Sequence, residues 1–522
     1  IHYKSRKSSL HAYLGLIMKL SRTLILSVFV VASCGLAYEL IMAALASYLL
    51  GDSIFQYSFI IGLYLFSMGI GAHLTRYIKD EDALTRFIEI ELLVGLLGGL
   101  SALFLFTAFG FAAAPFRTLL YALVLLVGTI VGMEIPLVMR VLNQQEADFK
   151  EIVSRVLTFD YMGALAVSLL FRADSRAQAR HGTLRFAVWL TQCRRCRPDR
   201  QTPLRPVAEL CQAALAWLGV VLAMLAHILC FRNRWVLQAE QRYFGDPVVY
   251  ESHSPYQRLV VTQWKDDTRL YINGNLQFSS RDEARYHEAL VIPAMQMAAQ
   301  HQRVLILGGG DGLAAREVLK YPNVQQLTLV DLDPDMTRTF QTSAKLVALN
   351  QNALNHAKTR IVNADAAQWL ESNREQFDVI IIDLPDPSNF ALGKLYSVPM
   401  YRSVARHLAD GGKIVVQSTS PYFAPNAYWS VVATLEAAGL RTAPYHAYVP
   451  SFGEWGFVLA DRAGRWQPVA QIDVPTRFLD TPTLAEMFRF PPDMARREVE
   501  PNYLNNQKLV AYFEQDWANV MR

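Results

Sequence analysis

The chain has 522 residues, 52% hydrophobic and 18% charged, with a formal net charge of +4. That length allows about three domains. The weak charge, with no dense basic stripe among aromatics, excludes a nucleic-acid partner. Mean hydropathy is +0.16.

The apolar residues crowd into roughly the first 230 positions, where several runs approach the ~20 residues needed to cross hydrocarbon. They are 24–45, 57–74, 92–113, 118–139 and 207–231; a sixth, 161–171, is too short to span comfortably. Lys4, Arg6, Lys7, Lys19 and Arg22 precede the first run, and Arg76, Lys79 and Arg86 follow the second. Arg140, Lys150 and Arg155 follow the fourth, whereas Arg117 alone lies between the third and fourth. This alternation predicts an inner N-terminus. If 161–171 and 207–231 make one more out-and-back pair, the C-terminal half is inside as well. A multi-pass helical domain over residues 1–240 is expected, in the cell (inner) membrane with the lipid bilayer as partner.

Three features of this half stand apart. The first methionine is Met18, so residues 1–17 are expected to precede the natural start. Residues 172–205 carry nine arginines and no lysine, which reads either as a reading-frame error or local divergence that replaced an apolar span, or as a basic loop on the inner face. Glu39 and Glu134 lie within apolar runs, and Asp160 at the edge of one. Ionisable groups at such depth face a bundle interior or a polar path, or reach the interface, leaving transport and a structural role both open. All five cysteines (Cys34, Cys193, Cys196, Cys211, Cys230) fall here, a usage that suits a reducing compartment. Cys193-x-x-Cys196 lacks a second ligand pair, so no metal site is predicted.

From residue 301 the pattern becomes apolar strand, glycine turn, helix. Val304–Leu307 is followed by Gly308-Gly309-Gly310-Asp311-Gly312 and then a helical stretch from Leu313. Such a turn lets a ligand approach a helix N-terminus, but many adenosyl and nucleotide binders share it. More is carried by acids that end the next strands. Asp331 comes nineteen residues after Gly312, where an acid suits ribose hydroxyls. Asp365 follows a third strand, and a fourth delivers Asp383-Leu384-Pro385-Asp386-Pro387. These acids line the carboxyl edge of a doubly wound sheet, where ligands bind in such folds.

These boxes, with Arg316-Glu317 and Asp331-Leu332-Asp333, resemble the successive motifs of spermidine synthases. Upstream, Ser254-Pro255-Tyr256-Gln257, Leu270–Gln277 and Asp282-Glu283-Ala284-Arg285-Tyr286-His287-Glu288 agree in order and spacing. The resemblance covers roughly residues 243–460, and methyltransferases lack its Tyr-His-Glu and Asp-x-x-Asp-Pro boxes. It implies a small β-domain (241–295), a Rossmann-like methyltransferase-type domain (296–465) and a helical tail (466–522). The membrane region resembles an extension carried by a subset of bacterial relatives.

The implied reaction moves the aminopropyl group of decarboxylated S-adenosylmethionine, a co-substrate, to putrescine, with no cofactor or metal. Donor-binding residues are then Gln257, Gly308, Gly310, Asp311, Gly312, Asp331, Asp365 and Ala366. Asp311 would repel the carboxylate of ordinary adenosylmethionine and pair with the lone ammonium of the decarboxylated donor. Asp383 is the expected general base; Asp386, Tyr286, His287, Gln277 and Trp455 are expected at the acceptor. Residues 388–397 and 450–455 depart from the family pattern, which leaves acceptor identity open. A homo-oligomer is expected. The competing readings are a membrane polyamine sensor or transporter whose domain binds without turnover, and a small-amine methyltransferase.

Overall fold

The computed structural model describes residues 28–30, 32–46, 53–111, 116–144, 148–173, 244–464, 469 and 471–520. The basic segment from residue 174, Cys193, Cys196, the apolar run 207–231 and residues 1–17 lie outside them. The chain forms two compact units, Ile1–Gly245 and Asp246–Arg522.

Among the described residues of the first unit, four helical stretches are long and apolar enough to cross a membrane. They are Val28–Ala46, Gln56–Tyr77, Phe116–Asn143 and Phe149–Leu169. The last lengthens the short segment expected at 161–171: the helix starts at Phe149 and runs to Ala173, and it reaches spanning length only with turns that carry Arg155 and Asp160. The run at 92–113 lies largely within a longer helix, Ala83–Phe111. The stretch Phe116–Asn143 breaks at Met133 into Phe116–Gly132 and Glu134–Asn143. Pro136 sits just beyond the break and has no N–H to offer the preceding turn. Small residues let two helices touch: a Cβ on Gly71 would lie 1.9 Å from the Thr129 carbonyl oxygen, and one on Gly132 would lie 2.2 Å from that of Met68. Such close approach is how apolar helices associate by packing. Arg140 closes one end of the unit, donating to the carbonyls of Thr75 (2.8 Å) and Ile78 (2.6 Å) and pairing with Asp80.

The second unit opens with an antiparallel four-stranded sheet, β1 (Val248–His253), β2 (Arg258–Trp264), β3 (Asp267–Ile272) and β4 (Asn275–Ser279), in sequential order. Asn273-Gly274 makes the tight β3–β4 turn with positive φ at both residues, as a two-residue hairpin requires. A mixed seven-stranded sheet follows: β5 (Arg303–Gly308), β6 (Gln326–Asp331), β7 (Thr359–Asn363), β8 (Phe377–Asp383), β9 (Leu408–Gln417), β10 (Arg441–Val449) and β11 (Gly453–Asp461). Its order is β10-β11-β9-β8-β5-β6-β7. β5 to β9 are parallel, and β10 and β11 add an antiparallel edge. Val304–Leu307 and Val379–Ile382 are wholly buried, as continuous apolar strands covered on both faces must be. The strand order reverses between β5 and β8, which sets the crevice at their carboxyl ends.

The expected helical tail is mostly irregular chain with two helices, Thr481–Met487 and Lys508–Val520, and it is fastened to the sheet domain by buried polar groups. Glu288, fully buried, accepts the backbone N–H of Arg477 (2.6 Å), Phe478 (2.8 Å) and Leu479 (2.9 Å). Asp516 accepts the first free N–H groups of the helix Pro425–Ala437, those of Asn426 and Ala427. Each buried N–H left without an acceptor costs ~1–3 kcal/mol. Glu288→Ala strands the buried Leu479 N–H and leaves the half-buried pair beside it without that acceptor, so it should destabilise the unit by roughly 1–3 kcal/mol. Limited proteolysis should then cut first near residues 471–480; an unchanged digestion pattern would refute that anchoring.

Candidate active site

The glycine turn is stitched to the end of β8. Gly308 has φ +86°, and a Cβ there would lie 2.0 Å from the Asp383 carbonyl oxygen. Gly309 N–H donates to that same carbonyl (3.1 Å). Gly310 N–H donates to Asp331 Oδ2 (3.1 Å), while Asp331 Oδ1 accepts from Asp333 N–H (2.9 Å). Asp311 turns inward, 8% exposed; its Oδ1 accepts the Leu313 N–H (2.9 Å) and its carbonyl accepts from Asn350 Nδ2 (2.9 Å). Gly312, with φ +75°, then opens the helix Leu313–Leu319.

The acids after β8 are held by different groups. Tyr286, from the helix Glu283–Met297, donates its hydroxyl to Asp383 Oδ1 (2.7 Å). Asp386 accepts from Gln417 Nε2 (3.3 Å), which also donates to Tyr396 Oη (2.8 Å) and to the Leu384 carbonyl. The amide of Gln417 is oriented from behind by Trp455, whose indole N–H donates to Gln417 Oε1 (3.2 Å). Trp455 packs on Phe452, and Phe452 and Phe457 flank Tyr286 at 6.3 and 5.5 Å between ring centroids. Next to this wall Thr419, fully buried, has φ +53°, a strained conformation for a β-branched residue.

The expected site residues do not all converge. Tyr286, Asp383, Asp386 and Trp455 join through the contacts above, and Asp311 is near enough for its charge to act on Asp383. Gln257 lies in a turn at the β6 end: Ser254 Oγ accepts the Gln257 N–H (3.1 Å) and donates to Asp333 Oδ2 (2.8 Å). Asp365 caps the helix Ala366–Ser372, accepting from Ala367 N–H (2.9 Å) and Gln368 N–H (3.2 Å), and pairs with Lys394 Nζ (3.3 Å). Ala366, the first residue of that helix, is buried beside it. Gln277 donates to the carbonyl of Asn275 on its own strand (3.2 Å), and no hydrogen bond of its side chain reaches the cluster. His287 is 2% exposed, and its Nδ1 faces the Glu283 carbonyl (2.9 Å) and Glu283 Oε2 (3.1 Å). Gln417, Tyr396, Ser254 and Glu283 were not singled out for these roles. Gln417 meets Asp386, Tyr396 and Trp455 across 31, 21 and 38 residues and Ser254 meets Asp333 across 79, and no local motif reports those pairings.

Charge crowding shapes the proton affinities. Burial, with the charges of Asp333 and Asp311, lifts Asp331 to about 6. Burial lifts Asp386 to about 6 against the hydrogen bond from Gln417. Asp383 is raised by burial and by Asp311, against His287 and the Tyr286 hydroxyl. Asp311 is raised by burial, against His287. Asp365 differs: burial works upward, but the Gln368 N–H and Lys394 outweigh it and hold the carboxyl below its ordinary value. The result is an acid-lined edge beside an aromatic wall, an arrangement that favours cationic ligands. Fold and site together define a Rossmann-like enzyme for cationic substrates.

The comparisons specify that class. The spermine/spermidine synthase domain matches residues 283–465. Polyamine aminopropyltransferase 2 of Ralstonia nicotianae is 58% identical over 511 residues, covering 96% of this chain and 99% of that protein. The polyamine aminopropyltransferase of Leptospira interrogans is 42% identical over 510 residues, covering 95% and 99%. Spermidine synthase from Thermotoga maritima aligns with a TM-score of 0.43 at 23% identity, over 47% of this chain and 84% of its own. The chain belongs to the polyamine aminopropyltransferase family, and the similarity to the first two relatives runs through the apolar first unit as well as the sheet domain.

The Tyr286 hydroxyl favours the ionised form of Asp383. Tyr286→Phe removes it, so the carboxyl takes up its proton at higher pH. The acid limb of the pH–activity profile should move upward, with a loss of roughly threefold at pH 6 that approaches fivefold at lower pH for a hydrogen bond of ~1 kcal/mol and a smaller loss at pH 8. A uniform loss at every pH would contradict this coupling.

Proposed function

We propose that this enzyme moves the aminopropyl group of decarboxylated S-adenosylmethionine to putrescine, giving spermidine and methylthioadenosine, on the cytoplasmic side of the cell membrane. The observation that carries the reading is the pair of acids three residues apart after β8, one held by Tyr286 and the other by Gln417.

A diamine arrives as a cation and cannot attack until one amine loses a proton. Asp383, with its raised proton affinity, takes that proton as general base. The freed nitrogen lone pair attacks the aminopropyl carbon beside the sulfonium. The C–N bond forms as the C–S bond breaks, and the departing electron pair neutralises sulfur to the thioether of methylthioadenosine. Sulfonium is already a good leaving group, so alignment and deprotonation suffice. Asp386 anchors the acceptor through charge-assisted hydrogen bonds, beside Trp455 and Tyr286. On the donor side Asp331 grips the ribose, Asp311 meets the donor's ammonium, and the Gly308–Gly312 turn passes close beneath. Asp365 and Ala366 flank the adenine, and Gln257 closes over the donor from the β-domain. The expected roles of His287 and Gln277 at the acceptor have no support in the contacts described. Incubation with both donors tests the reading: methylthioadenosine is the expected product, and adenosylhomocysteine would mark a methyltransferase instead. Neither product would mark a binding protein.

The two acids should fail differently. Asp383→Asn should lower turnover by about 10²–10⁴-fold and be partly rescued by raising the pH, because more diamine then arrives deprotonated. Asp386→Asn should raise the KM for diamine more than it lowers kcat and be rescued by concentration, not pH. Swapped rescue patterns would swap the roles.

The membrane placement rests on the four apolar stretches and on the basic residues between them. Arg140 binds the 75–80 turn, which puts two of the basic loops at one end of the first unit. Reporter fusions after Asp52 should read external, and those after Asp80 or at the C-terminus cytoplasmic. An external C-terminus would overturn the topology.

A further inference from the structure

We infer that Asn502 is a positioning residue for the acceptor side of the site: it holds residues 393–396, and through Tyr396 it sets how Asp383 and Asp386 stand to each other. The inference rests on the aminopropyl-transfer reading of the site.

Asn502 lies in the C-terminal segment, beyond the matched family domain, and is fully buried. Its side-chain amide has two N–H donors and one carbonyl oxygen, and each is used. Nδ2 donates to the carbonyls of Gly393 (2.9 Å) and Tyr396 (3.0 Å), and Oδ1 accepts the Leu509 N–H (3.3 Å). Its backbone is engaged as well: the N–H donates to Thr434 Oγ1 (2.9 Å), and the carbonyl accepts the Val398 N–H (3.0 Å). One residue thus joins the turn at 393–398 to the helices Pro425–Ala437 and Lys508–Val520. A buried polar group satisfied on every side favours a single arrangement of its partners. The packing is equally close, since a Cβ on Gly393 would lie 2.5 Å from Val510 Cγ2 and 3.0 Å from Gln507 Oε1.

The turn matters for what it touches. Tyr396, fully buried, aims its hydroxyl at the two residues between the acids. It donates to the Leu384 carbonyl (2.9 Å), with that of Pro385 at 3.2 Å. The same oxygen accepts from Gln417 Nε2 (2.8 Å), the amide that also reaches Asp386 (3.3 Å). Asp383 is the last residue of β8, so the sheet places it. Asp386 lies three residues on, in neither helix nor strand, and takes its place from Tyr396 and Gln417. A base and an anchor that serve one diamine must keep their separation, because a misplacement near 1 Å costs on the order of 10²-fold. Lys394, between the two carbonyls that Asn502 holds, pairs with Asp365 (3.3 Å). Residues outside the matched domain therefore fix the chain that runs between its acids.

The test is the kinetics of methylthioadenosine release by the full-length protein in detergent, with diamine and donor varied in turn. Absence of wild-type turnover would sink the aminopropyl-transfer reading and this inference with it. Variants that behave as wild type in an active enzyme would sink the inference alone. Asn502→Ala should lower kcat/KM for the diamine by about 10²-fold, with its KM raised about tenfold. The KM for the donor should change by less than about threefold, because Asp331 and the glycine turn are held by other bonds. Tyr396→Phe removes only the hydroxyl and should raise the KM for diamine in the same way. Combined, the two changes should cost little more than the larger alone, whereas independent sites multiply their losses. A folded Asn502→Ala variant with the wild-type KM for diamine, or losses that multiply, would overturn the proposal. A structural brace lowers the amount of active enzyme without moving KM. If Asn502→Ala does not fold, Gly393→Ala decides. Gly393 has φ −56°, which alanine adopts freely, and the added methyl wedges the turn off the C-terminal segment while sparing Asn502 and both acids. A raised KM for diamine then supports the proposal, and an unchanged one overturns it.

Discussion

Several carboxylates meet at the carboxyl edge of one sheet, and there is too little water there to keep them all charged at ordinary cost. Asp311, Asp331, Asp383 and Asp386 are each pushed above the usual carboxylate range, with burial the largest cause in every case. Desolvation penalises each anion, and neighbouring anions penalise one another. An edge of this kind is unfavourable when empty and gains when a cation enters. That imbalance is available as binding energy for cationic substrates, and it raises the hold of these carboxyls on a proton toward neutrality. The protein offsets part of the cost with donors from outside the sheet: the Tyr286 hydroxyl on Asp383, the Gln417 amide on Asp386 and the Gly310 N–H on Asp331.

The fold supplies the crowding. Parallel strands end their apolar runs at one edge, so the residue after each run is presented there whatever its charge. The reversal of strand order between β5 and β8 opens the crevice at the glycine turn. The turn approaches the β8 backbone so closely that Gly308 has no room for a side chain. The small β-sheet contributes the Ser254–Gln257 turn, tied to Asp333, and the C-terminal segment contributes Arg477. Elements on both sides of the matched domain thus bond to residues within it.

What the sequence made legible follows from this geometry. Asp331 and Asp383 terminate strands whose apolar runs are continuous, so their positions on one edge could be read from pattern alone. The long membrane-type helices were legible from length, except where Phe149–Ala173 gained its span from residues too polar to count as an apolar run. Asp365 shows a limit of pattern: one of its carboxylate oxygens caps a helix and the other faces Lys394, a local duty that sequence cannot separate from ligand binding. The Tyr-His-Glu box shows another, since its members point different ways on the helix. Tyr286 meets Asp383, while Glu288 anchors residues 477–479. The bonds between Gln417 and Asp386 and between Glu283 and Arg477 join segments far apart in the chain. Nothing local to either partner reports them.

The central claim is that the acceptor enters a cluster of carboxylates that are partly protonated near pH 6 and surrender those protons to its charge. Calorimetric titration of diamine into donor-loaded enzyme, repeated in buffers of different ionisation enthalpy, measures the protons released on binding. A cation that lowers the proton affinity of groups titrating near 6 must expel protons there and have few to expel at pH 8. The account predicts clear proton release at pH 6 that fades toward pH 8. Diamine binding with no proton release at pH 6 would contradict it.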